Sequence, residues 1–299
     1  MVVSKCHGLL LFFILMLFSE NCEAIDTVRY NVSHKFVDPK QTYYVDLLRL
    51  ALEKSTFEYG PYQLIENPLE DTPQARTLDL LAKADLIDVH WSMTSIKREQ
   101  KLGTVYIPLL KGMMGARIFI IHKDLQSRLK KHQYATALLD YRFGSGNDWP
   151  DSKIYAFNSL TVETAGAQNL LKMLEQKRFD LFPRALHEPW SEVVGHPKLQ
   201  IDSRFGLCYP SAMYFFVNKN NHRLRKRLTD GLHRAINDGS FDQLFSHHPI
   251  TKDALKNGYF EKRKVLKLRN PNMSIRTRDT LHSGRYTWQP LAECVKPSL

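Results

Sequence analysis

Two arginines define the chemistry this chain could do. Arg98 closes the run Trp91-Ser92-Met93-Thr94-Ser95-Ile96-Lys97, and Arg184 stands between Pro183 and Ala185 after Phe179-Asp180-Leu181-Phe182, which reads as a buried strand. A guanidinium grips a carboxylate or phosphate through two parallel hydrogen bonds, so two of them facing one space would suit a ligand with two anionic ends. Each also has a plainer use, Arg98 as the exposed start of a helix and Arg184 as the ion-pair partner of Glu188 or Glu192. Trp91 ends an expected strand, and Trp149 lies in the loop Gly144-Ser145-Gly146-Asn147-Asp148-Trp149-Pro150. Both offer flat faces for stacking, although core packing is the commoner fate of a strand tryptophan such as Trp91. Ser159 and Thr161 precede an expected helix, where hydroxyls cap the first turn and its free N–H groups can also hold an anion.

Catalytic signatures are missing from the linear sequence. There is no G-x-S-x-G, no H-E-x-x-H and no pair of carboxylates in an obvious loop. His247 and His248 beside Pro249 read as surface residues, and no Cys/His spacing suits a metal. The glycines at 144 and 146 are too few for a phosphate-binding loop. Neither a cofactor nor a metal is therefore expected, while an enzyme assembled from distant positions stays open.

The elements that must position these side chains alternate. Residues 27–32 read as a strand, and 43–55 as a helix with Tyr44, Leu47, Leu48, Ala51 and Leu52 on one face. A strand at 62–65, a helix at 73–84 capped by Thr72, and a strand at 87–91 complete a β-α-β-α-β unit. A second block follows, with strands at 117–122, 153–157 and 179–182 and a helix at 162–177. A strand at 214–217 then leads to a long basic helix, 222–237, ended by Asp238-Gly239. Such alternation predicts mainly parallel sheets with flanking helices, because parallel neighbours need crossover connections. Two α/β lobes joined by crossings at 111–117 and 207–213 would form a hinged cleft. Trp91 would fall at the carboxyl edge of its sheet, where open α/β sheets bind ligands.

The first 24 residues read as a cleaved signal peptide: Lys5, ten apolar residues over 9–18, then Cys22-Glu23-Ala24. Ten residues cover only about half of the roughly 20 that a spanning helix needs. Acylation of Cys22 is the rival reading, disfavoured by Glu20 and Asn21 where small residues belong. Cleavage leaves Cys208 and Cys294, either a disulfide or two separate thiols. The formal net charge is +11, and residues 219–278 carry 15 Lys or Arg against 5 Asp or Glu. Export argues against nucleic acid as a partner, leaving a solvated basic face or contact with anionic lipid or an acidic partner.

Four places together resemble the periplasmic solute-binding proteins of amino-acid uptake transporters, along almost all of the mature chain. Leu78-Asp79-Leu80-Leu81 with the run from Asp88 to Glu99 resembles the family's helix, strand and loop of a serine or threonine followed by Thr-x-x-Arg, in which the Arg grips a ligand carboxylate; Arg98 would be that residue. Val105-Tyr106-Ile107-Pro108-Leu109 is similar to the segment leading out of the first lobe, with 117–123 as the crossing strand. Phe157-Asn158-Ser159-Leu160-Thr161 is similar to the second lobe's ligand-facing loop, followed by Phe179-Asp180-Leu181-Phe182. The stretch from Gly231 to Phe245, with Asp238-Gly239-Ser240-Phe241, resembles the late helix, turn and short helix.

The resemblance implies the type II two-lobed fold: 25–113 and 214–299 as the two parts of lobe one with a tail, and 114–213 as lobe two. It implies a periplasmic protein, not an enzyme, that captures a small polar, anionic or amino-acid-like solute for transport or sensing, with an inner-membrane transporter or sensor as partner. The ligand-binding set is then Trp91, Thr94, Arg98, Trp149, Ser159, Thr161, Arg184 and Glu188. One departure bears on the ligand. Family members place an Asp near position 184 to pair with an ammonium group, and a cation there favours a second anionic end instead. The loop near Asp85 and Leu86 also lacks the family's glycine. An exported hydrolase using the same cleft, or a sensory or assembly module that no longer binds, are the alternatives.

Overall fold

The computed structural model describes residues 25–34, 38–70 and 72–295, so the expected signal peptide at 1–24 lies outside it. In chain order the strands are β1 (Asp26–Tyr30), β2 (Tyr62–Glu66), β3 (Val89–Met93), β4 (Gly103–Val105), β5 (Ala116–His122), β6 (Arg142–Gly146), β7 (Thr161–Ala165), β8 (Leu181–Ala185), β9 (Leu199–Ile201), β10 (Phe205–Cys208), β11 (Met213–Val217) and β12 (Lys264–Lys267). Their sheets form two α/β lobes.

In the first lobe β11 runs antiparallel between β3 and β4, and β1 pairs with β2 in parallel. Asp88 joins the two pieces. Its backbone N–H donates to the Arg29 carbonyl (2.8 Å) while its carboxylate accepts from the Arg29 N–H and guanidinium. The Lys40–Glu53 helix packs on this lobe through Tyr43, Tyr44, Leu47, Leu48, Ala51 and Leu52, all buried. Each large side chain on that face is worth about 2 kcal/mol of burial. The helix starts three residues earlier than the apolar spacing alone indicates, and the extra turn carries Lys40 and Gln41.

The second lobe is built on a sheet in the order β12-β10-β5-β8-β6-β7, with β9 also on β5. β6 is parallel to β7 and β8, and β10 to β12, whereas β5 is antiparallel to β8, β9 and β10. β12, within the stretch 214–299 expected in lobe one, extends this second sheet. The basic helix His222–Asn237 has the expected bounds, and Asn221 caps it by accepting from the Leu224 N–H (3.0 Å). Among the described residues no helix is long and apolar enough to cross a membrane.

Residues 142–177 depart from expectation. Residues 153–157, expected as a strand, belong to the helix Pro150–Phe157, whose buried Pro150, Asp151, Ile154 and Tyr155 lie on one helical face. Pro150 opens it because its fixed φ suits a first helical residue. Residues 162–177, expected as a helix, begin instead as β7, Thr-Val-Glu-Thr-Ala, where β-branched side chains favour a strand. Only Leu170–Glu175 is α-helical there. Among the strands not expected is β6, disguised by its glycines. A Cβ on Gly144 would come 2.3 Å from the Phe179 ring, so that strand has glycine where an aromatic ring presses on the backbone.

Cys208, at the end of β10, is bonded to Cys294 with Cα atoms 5.2 Å apart, which resolves the choice left open by the cysteine count.

Candidate functional site

A cleft of about 310 Å³ opens between the two lobes. One wall comes from the start of the Lys40–Glu53 helix and from β3, the other from the Trp149-Pro150-Asp151 turn, β8 and the residues that follow it. Arg117, on β5, lines it as well. Its position follows from the topology, since the carboxyl end of β3 faces the segment between β6 and the Pro150–Phe157 helix.

Four of the eight expected residues line this cleft: Trp91, Trp149, Arg184 and Glu188. Trp91 takes the packing role while also lining the cleft. It is buried, stacked on Tyr44 (5.4 Å between centroids) and on His90 (5.6 Å), and its indole N–H donates to Gln41 Oε1 (2.8 Å). Trp149 stacks on Phe182 (6.3 Å) and lies under the Arg184 guanidinium (4.8 Å). Arg184 takes the ion-pair role. It donates to both oxygens of Glu192 (2.7 Å each) and lies 3.1 Å from Glu188 Oε1. Burial opposes its charge, but Glu188 and Glu192 outweigh burial and raise its pKa.

Arg98 does not line the cleft, and so it does not face Arg184 across it. Its guanidinium donates to Ser92 Oγ, to the Met93 carbonyl (2.8 Å) and, from lobe to lobe, to the Asp148 carbonyl (3.1 Å). Because those partners are neutral, burial pulls its pKa down to about 10 against the pull of the Asp148 and Asp151 charges. The Asp148 carboxylate accepts from the Ala75 N–H (2.9 Å). It thereby caps the Gln74–Ala82 helix from across the cleft, where Thr72 was the expected cap; the Thr72 hydroxyl donates to the Glu70 carbonyl instead (3.1 Å).

Three further expectations move away from the cleft. Thr94 donates to Glu99 Oε1 (2.6 Å), in a cluster where Tyr106, Ser274 and Thr277 also donate to Glu99. Ser159 ends a helix rather than starting one. It has φ of 61°, and the N–H groups of Ser159 and Leu160 donate back to the Ala156 and Tyr155 carbonyls, the hydrogen-bond pair of a Schellman C-cap. Thr161 begins β7 with its side chain exposed. Neither hydroxyl caps a helix N-terminus.

The residues that sequence reasoning missed are the buried charges. Arg117 is paired with Asp151 (2.6 Å) and Glu188 (3.5 Å), its side chain 2% exposed, while its Nε has no partner. Burial works against its charge, but Asp151, the oxygens of Tyr209 and Tyr155, and Glu188 raise its pKa. Lys40 Nζ lies 2.9 Å from Glu192 and 3.0 Å from Asp38, linking the lobes. A signal existed for Arg117, a charge near the start of the otherwise apolar run Ala-Arg-Ile-Phe-Ile-Ile.

Two buried histidines beside the cleft make an acid-sensitive element. Burial, reinforced by Arg98, pushes His90 down to about 3, and burial pushes His187 down to about 4 despite Glu188. Both are neutral when folded and take up a proton near pH 6.5 when unfolded. The stability they support is thus present above pH 6.5 and is lost as pH falls from 6.5 towards 4 and 3, by up to about 1.4 kcal/mol per unit for each histidine. Urea unfolding at stepped pH is expected to show this loss, and His90→Phe to remove His90's share of it; a midpoint constant between pH 7 and 4.5 would contradict the assignment.

The lobes and the cleft between them are the architecture of type II periplasmic binding proteins, and solved structures of that kind superpose on this chain; β12, placed on the second sheet after β11, makes the chain pass between the lobes more often than the two crossings expected. An ancestral arginine-binding protein bound to arginine matches with a TM-score of 0.55 at 15% identity, covering 74% of this chain and 96% of its own. An arginine-specific periplasmic binding protein from Salmonella typhimurium matches with a TM-score of 0.54 at 13% identity, over 73% and 97%. The GluR0 ligand-binding core from Nostoc punctiforme, in complex with L-glutamate, gives 0.51 at 14%, over 74% and 97%. At such identities the likeness establishes the fold. No family model and no curated protein matches the sequence.

Proposed function

We propose that this chain captures a small polar, amino-acid-like solute in the interlobe cleft and closes around it. The observation that carries this reading is the cleft itself, about 310 Å³ with aromatic faces and buried charges converging from both lobes. That volume lies at the single-metabolite end of the usual range for ligand sites. Proteins of this fold have been solved with arginine, glutamine and glutamate bound, which supports the solute class and leaves its charge to the side chains. Lys40, Arg117 and Arg184 line the space together with Asp38, Asp151, Glu188 and Glu192, all paired with one another, while Arg117 Nε is a donor without a partner. We take a solute without surplus positive charge, one able to accept from such a donor, as the reading.

A thermal-shift screen tests this. Acidic and neutral amino acids and dicarboxylates are expected to stabilise the protein, by about 2.7 kcal/mol at a hundredfold excess over the dissociation constant, and to be recovered unchanged. Consumption of the solute would point to a hydrolase. A second reading, a module that keeps the fold without holding a solute, draws on one observation: every charged group on the cleft wall already has an intrachain partner. Absence of stabilisation across the screen would favour it.

Arg98 enters this proposal as the residue that holds the Asp148-Trp149 turn over the cleft, because its lobe-to-lobe bond ends on Asp148. Arg98→Ala is expected to abolish binding while leaving the protein folded; unchanged affinity by titration would remove Arg98 from the site. Export through the segment 1–24 to the periplasm, and presentation of the closed form to an inner-membrane transporter or sensor, complete the reading. Its support is the N-terminal pattern together with fold neighbours described as binding proteins of amino-acid ABC transporters. Contact of the 219–278 surface with an anionic partner is a weaker extension. Arg223 and Arg227 are paired with Asp26, Lys226 with Asp230 and Arg234 with Glu58, which engages four of the fifteen basic side chains within the chain.

A further inference from the structure

Lys40 stands where a helix favours an acid. It opens the Lys40–Glu53 helix, whose first turn carries free N–H groups and a partial positive charge that disfavours a cation. Its side chain is nevertheless only 12% exposed and reaches across the cleft to the other lobe, with Nζ 2.9 Å from Glu192 Oε1 and 3.0 Å from Asp38 Oδ1. The Glu192 oxygen it meets also receives Arg184 Nη2. Desolvation alone would expel such an ammonium, so the carboxylates around it hold it there.

From this geometry we infer that Lys40 Nζ is a resident ammonium group. It fills, from within the chain, the position where the cationic end of a basic solute would bind, and it thereby excludes diamines and basic amino acids from the cleft. The inference rests on the solute-binding reading above. Deep in the cleft three cations, Lys40, Arg117 and Arg184, meet three carboxylates, Asp151, Glu188 and Glu192, and each is committed. Asp38, 32% exposed at the rim, is committed to Lys40 as well. An incoming cation therefore finds no free carboxylate, and it pays repulsion from Lys40 and Arg184. With Lys40 replaced by methionine the hydrocarbon stem is retained, and Glu192 and Asp38 each lose a cation that an ammonium from solution can replace.

Calorimetric titration of the full mature chain tests the idea with 1,4-diaminobutane, L-lysine, L-glutamate and L-glutamine as probes. The wild type is expected to bind one of the acidic or neutral probes and neither basic one. Lys40→Met is expected to bind a basic probe at least tenfold more tightly than the wild type does, and Lys40→Met with Glu192→Gln to lose that gain, which a merely structural lysine would not produce. Lys40→Gln gives the same comparison should the methionine variant fold poorly. If the wild type binds glutamate or glutamine and both Lys40 variants stay indifferent to the basic probes, the resident-ammonium inference falls and the solute-binding reading stands. If the wild type itself binds lysine or diaminobutane as tightly as the variants do, the inference falls in the same way. If no probe binds any of the proteins, the solute-binding reading falls, and the inference with it.

Discussion

Replacing Arg117 with methionine is expected to lower the unfolding midpoint by on the order of 10 °C, corresponding to a loss of about 3–5 kcal/mol. Arg117 is fully enclosed on β5 and is paired with Asp151 and Glu188, while its guanidinium lies over the Tyr209 ring at 5.5 Å. Methionine fills much of the volume but leaves Asp151 buried without its cation and Glu188 with Arg184 alone, and an unpaired buried charge is among the costliest defects a fold can carry. Arg117→Lys should recover only part of the loss, because one ammonium cannot serve two carboxylates as a planar fork does. Adding Asp151→Asn and Glu188→Gln to Arg117→Met should restore much of it. A midpoint within 2 °C of wild type for Arg117→Met, read by calorimetry, would show that the pairs do not hold the Pro150–Phe157 helix and the segment after β8 to β5.

The second large effect comes from a glycine. Gly231 lies inside the His222–Asn237 helix, and a Cβ there would come 1.8 Å from the Ala51 carbonyl oxygen and 2.7 Å from its carbon. The obstacle is backbone of the Lys40–Glu53 helix, which cannot rotate aside. On helix propensity alone Gly231→Ala should stabilise by about 1 kcal/mol. Crowding of the crossing is expected to reverse the sign and cost about 3 kcal/mol. Because the displaced helix carries Lys40, Gln41 and Tyr44 into the cleft, solute affinity should fall along with stability. Denaturant unfolding decides between the two terms: a gain in midpoint would mean that the helices do not cross this closely.

How much of this molecule is legible in its sequence depends on the range of the interactions involved. The Lys40–Glu53 helix announces itself because its buried face recurs every third or fourth residue within one short window. The His222–Asn237 helix does the same between Asn221 and Asp238-Gly239. β6 is hidden because the partners that require its glycines, Phe179 and Trp149, lie outside the strand. The site follows the same rule. Trp91, Trp149, Arg184 and Glu188 could be named because their own neighbourhoods mark them. Arg98 was sought in the ligand space, yet its last hydrogen bond goes to a residue 50 positions away. Lys40 and Glu192, separated by 152 positions, have no local signature at all. Resemblance to a family supplies the architecture and the address of the cleft; which charges have been neutralised inside it is decided by pairings that only the folded chain brings together.

The Cys208–Cys294 bond spans a sequence separation of 86 and makes a covalent ring of everything between the two cysteines. Inside that ring are β11, the central strand of its three-stranded sheet, the whole His222–Asn237 helix and β12. A protease that cuts once anywhere in 209–293 therefore produces two polypeptides but not two molecules. The pieces stay tethered at the end of β10 and migrate as one species until a reductant parts them. Without reductant, a nicked copy would remain a single particle.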